Sequence, residues 1–91
     1  MNNMDYKKLV GMRTVFASSG WCTIDTRGLL ANMCFNAEGK VIFQVMDGDE
    51  VNSNGEAILC TGETIEFIGK IRYKAYEGST IGIRVLLYDR V

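Results

Sequence analysis

Histidine is absent from this 91-residue chain, and so is proline. Without histidine the commonest general base is missing, together with Ser–His and Cys–His nucleophile pairs and most transition-metal sites. A Ser–Lys or carboxylate mechanism would have to gather Ser18, Ser19, Ser53 or Ser79 with scattered lysines or acids, and no spacing does so. The expectation is a protein that is not an enzyme and holds no metal or cofactor. Cysteine is sparse as well. Cys22, Cys34 and Cys60 are odd in number and contain no C-x-x-C pair, so neither a zinc knuckle nor a disulfide framework is indicated. They read as small buried or half-buried apolar residues in a reducing compartment.

An excess of one charge sign is lacking too. Ten basic residues stand against eleven acidic ones, a net charge of -1. That balance points away from nucleic acid, and the chain carries no acidic tail. No stretch reaches the ~18 apolar residues of a membrane-spanning helix. The first ten residues have no apolar core of signal-peptide length, so a soluble protein made in the cytoplasm is expected. The hydrophobic fraction of 47% and the charged fraction of 23% are those of an ordinary globular domain. A domain this short buries a modest share of its surface, a limit that self-association relieves.

What is present is a series of short period-two runs punctuated by ten glycines. Residues 1–12 are polar and then mixed, and read as an N-terminal arm ahead of one domain over 13–91. Thr14–Ala17 and Trp21–Ile24 are candidate strands, with Trp21 at a core position. Leu29–Phe35 alternates, with Leu29, Ala31, Met33 and Phe35 on one face, and Asn36–Gly39 reads as a hairpin turn. In Lys40–Met46 the core face is Val41, Phe43 and Val45. Asp47–Gly55 is the longest polar stretch and reads as a loop. Ala57–Thr61, Thr64–Ile68 and Ile71–Tyr76 follow, the last with Ile71, Tyr73 and Ala75 inward. The closing run places Ile81, Ile83, Val85 and Leu87 on one face. The pattern predicts an all-β fold, a small antiparallel β-sandwich or flattened, jelly-roll-like barrel of seven to eight strands.

Two strands carry more apolar residues on their outer faces than solvent requires. Ile42 and Met46 flank Gln44, and Leu86 and Tyr88 follow Arg84. Such second faces point to contact with another protein. Other features have simpler explanations. Asp47, Asp49, Asn52, Asn54 and Glu56 are oxygen donors, but their spacing departs from a calcium loop, and Asp, Asn and Gly form turns on their own account. Of the aromatic residues, Tyr76 and Tyr88 are the ones that look outward, which is thin support for a sugar platform. Arg72, Lys74 and Arg84 would share a face if strands 71–76 and 80–88 were neighbours, with Glu66 and Glu77 supplying cross-strand ion pairs.

The order of these segments carries a resemblance. A Gly-Leu-Leu-Ala strand, a strand ending Val-Met-Asp-Gly-Asp, a polar loop, Ala-Ile-Leu-Cys-Thr, Ile-Glu-Phe and the closing Gly-Ser-Thr-Ile-Gly-Ile-Arg-Val-Leu-Leu-Tyr come in succession. Over residues 13–90 this resembles small β-sandwich virion accessory proteins of tailed bacteriophages, of the capsid decoration, head-fibre or tail-accessory kind. The resemblance implies a non-catalytic structural protein of the virion, synthesised in the host cytoplasm. It also implies a homo-oligomer, a trimer foremost, in contact with a major capsid or tail protein. The residues expected to carry such contacts are Tyr6, Leu9 and Val10 of the arm with Ile42, Met46, Leu86 and Tyr88. The competing expectation is a small carbohydrate- or peptide-binding module using residues 47–56 and the outward tyrosines.

Overall fold

A computed structural model describes residues 7–77 and 80–90. Eight strands occupy them: β1 (Lys7–Ala17), β2 (Cys22–Asp25), β3 (Leu30–Cys34), β4 (Lys40–Asp47), β5 (Glu50–Cys60), β6 (Thr64–Phe67), β7 (Lys70–Ala75) and β8 (Ile81–Arg90). Glycine turns and the β-branched and aromatic content of the runs favour this outcome over helix. The strands form two four-stranded sheets, ordered β1-β8-β3-β6 and β2-β7-β4-β5, here sheet A and sheet B. Every pairing is antiparallel.

Strand β1 pairs with β8, β2 with β7, β3 with β6 and β4 with β5. The chain is thus doubled once at the β4–β5 turn and the doubled ribbon is rolled into a sandwich, the connectivity of a jelly roll. The β4–β5 connection stays within one sheet, and each other connection crosses from one sheet to the other. The Asn36–Gly39 turn is therefore a crossover and not a hairpin. Strands β7 and β8 lie in different sheets, so Arg72 and Lys74 do not share a face with Arg84.

The inward rows close on one another as the period of two dictates. Ala31, Met33 and Phe35, Val41 and Phe43, Ile71, Tyr73 and Ala75, and Ile81, Ile83 and Val85 are all buried. Thr26 is a buried polar residue, and its hydrogen bonds are made. Its hydroxyl accepts from the Gly69 amide at 2.8 Å and its own amide donates to the Gly69 carbonyl at 2.8 Å. This pair pins the β2–β3 turn to the β6–β7 turn.

Four further expectations are corrected. Residues 7–12, assigned to the arm, are the first half of β1 and pair with β8 from Lys7 onward; residues 1–6, Tyr6 among them, lie outside the described residues. Next, Asp47–Gly55 is not an open loop. Gly48 and Asp49 form a two-residue turn closed by the Asp47–Glu50 pair, with Gly48 at φ 66°, as a type II′ hairpin requires. Pairing then jumps from Met46↔Val51 to Gln44↔Glu56, so Asn52 to Gly55 bulge out opposite Val45 alone. Polar composition marks turn and bulge alike, which is why the strand between them was hidden.

Val45, thirdly, is 43% exposed rather than core. The backbone that approaches it belongs to Gly55, which has no side chain to cover it. Trp21, finally, is half-buried and faces outward. It shares the parity of exposed Thr23, not that of buried Ile24. Its ring is held by the Arg72 guanidinium at 4.0 Å and the Lys74 ammonium at 4.7 Å, both to the ring centroid, contacts attractive for a π face.

Candidate assembly interface

The two outer faces of the sandwich differ in chemistry. On sheet B the central outward residues satisfy one another. The Arg72 Nε–H donates to Gln44 Oε1 at 2.7 Å, and Gln44 Nε2 donates to Glu56 Oε2 at 2.7 Å, a chain across β7, β4 and β5. Trp21 is capped by cations, as described. Ile42 pairs with Ile58, and Met46 with Val51. Both Ile42 and Met46 are half-buried within this largely polar face.

Sheet A carries the apolar surface. Register places Leu9, Tyr88 and Leu30 in one outward row and Met12, Leu86, Asn32 and Glu66 in the next. Thr14, Arg84, Cys34 and Thr64 follow, and then Phe16 beside Gly82. The β1–β8 half is therefore apolar, and the β3–β6 half turns polar at Asn32 and Glu66, which are joined by a 3.0 Å hydrogen bond. Phe16 lies over bare backbone: a Cβ built on Gly82 would sit 3.4 Å from its ring. Met12 is 70% exposed and Phe16 61%, the two most exposed large hydrophobic residues among those described. Lys7 reaches over this face, with its ammonium 5.1 Å from the Tyr88 ring centroid and 3.8 Å from the Glu66 carboxylate.

The structure thus divides the residues expected at the interface. Leu9, Leu86 and Tyr88 come together on sheet A, with Val10 beside them as the extra residue of the bulge between Leu9 and Gly11. Ile42 and Met46 are on the opposite side of the sandwich and cannot join the same contact. Met12 and Phe16 were missed because that stretch read as an arm followed by a short strand. The signal was present: Met12, Thr14 and Phe16 alternate with Arg13, Val15 and Ala17, and Ala17 is buried.

Among the described residues no three metal-ligating side chains converge, and Asp49 of the former loop accepts from Lys70 at 3.3 Å. Cys22 and Cys34 are half-buried, whereas Cys60 is exposed, and all three are free thiols. Tyr73 is buried, and burial raises its phenol above the ordinary value of 10.0, with Cys22 adding to the rise and Arg13 opposing it. Below pH 10 the phenol is neutral in both folded and unfolded chains. Above it the unfolded chain ionises first, so stability is expected to fall as pH rises from 10 toward the folded value. Melting temperatures from pH 8 to 11 should show this drop in the wild type and a shallower one in Tyr73→Phe; parallel curves would exclude it.

An apolar cavity of about 270 Å³ opens between the sheets at the β5–β6 margin, walled by Phe43, Val45, Ile65, Phe67 and Ile71, with Glu56 and Glu66 at its lining. No protein-family model, curated protein or solved structure matches the chain.

Proposed function

We propose that this protein is a non-enzymatic structural component that acts by symmetric self-association, and that it serves as a virion accessory protein of the capsid decoration, head or tail type. The observation that carries the self-association is the apolar β1–β8 half of the outer face of sheet A. A monomer gains nothing from leaving Met12, Phe16 and Leu9 in water beside half-buried Leu86 and Tyr88. Contiguous apolar surface of this kind marks a protein contact, and a second copy is the partner present at equal concentration wherever the protein is made. The virion setting rests on the resemblance in strand order and is supported by a jelly-roll connectivity, which capsid proteins share with lectins and other families.

Solution mass by size exclusion with light scattering tests the reading. The wild type should form a discrete oligomer, a trimer, at micromolar concentration. Met12→Asp and Leu86→Asp should shift it to a monomer that still melts cooperatively, since both side chains point away from the core; the lost subunit contacts lower the melting temperature by mass action alone. A wild type that stays monomeric up to hundreds of micromolar overturns the proposal. A monomer whose melting temperature rises with soluble sugars or peptides would instead be a binding module.

A further inference from the structure

The two lateral margins of the sandwich carry opposite charge. Strand β1, the margin of sheet A on one side, contains Lys7, Lys8 and Arg13 and no acid. On the other side lie β5 and β6, the margins of sheets B and A. The segment from residue 50 to residue 68 contains Glu50, Glu56, Glu63 and Glu66 and no lysine or arginine. The near-zero net charge of the chain hides this separation.

Exposed apolar residues follow the same division. Leu9, Val10, Met12 and Phe16 are on β1, and Val45, Ile58 and Ile68 are at the β5–β6 side. Each margin is therefore apolar with one charge sign in excess, Asp25 of β2 being an acid on the basic side, and the two excesses are complementary. The apolar cavity with Glu56 and Glu66 lies at the acidic margin.

From this we infer that the partner of β1 is the β5–β6 margin of a second copy, in a head-to-tail contact. The inference rests on the self-association reading and adds a lateral contact at the sheet edges, next to the apolar outer face that β1 borders. Strand direction agrees. Three successive antiparallel pairings, β1 to β8 to β3 to β6, make β1 antiparallel to β6. A neighbouring copy's β6 set beside β1 continues the alternation in sheet A and pairs backbone groups that a lone sandwich leaves at its edges. Such a contact is heterologous: each copy offers one surface and receives the other, giving a ring where the rotation between copies closes and a filament where it does not. Of the three cations, Lys7 is drawn to Glu66 of its own chain, so Lys8 and Arg13 carry the contact. Lys8 does so beside Asp89, its cross-strand neighbour.

Charge reversal on one margin at a time tests this. Lys8→Glu with Arg13→Glu makes both margins acidic, and Glu56→Lys with Glu66→Lys makes both basic. Each variant alone should associate on the order of 100-fold more weakly than wild type, because like charges now face one another. An equimolar mixture of the two should re-form contacts between unlike copies, read as mixed dimers or even-numbered rings, since each engaged margin then meets its opposite. An odd ring such as a trimer keeps one pair of like margins together. Raising salt should weaken the wild-type oligomer through screening. Cooperative melting of each variant establishes that it is folded. If the wild type assembles and both variants assemble equally well, or if two folded variants fail to recover on mixing, the edge contact is wrong while self-association stands. A wild type that never assembles overturns both.

Discussion

Replacing Phe43 by alanine is expected to lower unfolding stability by about 3–5 kcal/mol, the range for truncating a buried aromatic residue. Phe43 is 2% exposed and stands on β4 between β5 and β7, with its ring 6.2 Å from that of Tyr73 at an interplanar angle of 36°. It also walls the cavity at the β5–β6 margin, so the space vacated joins an existing void and cannot be refilled by a small shift of neighbours. Against a total of roughly 5–14 kcal/mol for a domain of this length, the loss is a large share of what holds the sandwich together. Urea unfolding followed by tryptophan fluorescence would report it as a lower midpoint at unchanged slope. A loss below ~1 kcal/mol would mean that the two sheets do not close on this ring.

Gly55→Ala should cost about 1–3 kcal/mol, the cost of overpacking, although alanine is the smallest possible addition. A Cβ at Gly55 would lie 2.7 Å from the Val45 Cβ and 2.8 Å from its Cγ2. Both atoms are at the root of a β-branched side chain, which has no alternative rotamer that moves its Cβ away. Gly55 does not adopt a positive φ, so the penalty comes from contact and not from backbone conformation. Val45→Gly in the same chain should relieve much of it, giving a coupling in the double-mutant cycle. Strictly additive effects would place the bulge and Val45 out of contact.

The inward rows were legible because alternation is a local property. Ile81, Ile83 and Val85, or Ile71, Tyr73 and Ala75, declare their face within a few residues, and all six are buried. Which strand lies beside which is not local. Nothing in Lys7–Ala17 or Ile81–Arg90 names the other as its partner, and the neighbours inferred from adjacency, β7 and β8, belong to different sheets. Trp21 was misread because opening a strand after Ser18–Gly20 suits a core position; two cations on β7 make an outward position favourable. Val45 has core parity and was lost to a four-residue excursion of β5 that no period-two pattern could signal. The candidate site was half legible. Leu86 and Tyr88 stood out against Ile81 and Ile83, whereas Met12 and Phe16 gained meaning when β1 proved to be a full strand paired to β8.

Pairing the earliest described strand with the latest has a consequence in time. During synthesis β1 emerges first, with Leu9, Met12 and Phe16 exposed, and its neighbour in sheet A is made last. Sheet A cannot form until Ile81–Arg90 has left the ribosome, because β8 lies between β1 and β3 and joins them. Contacts so distant in sequence are slow to form, since the loop must close before it is rewarded. The surface built on β1 and β8 exists only once β8 is in place. A product truncated before β8 would lack the apolar surface that β1 and β8 build together.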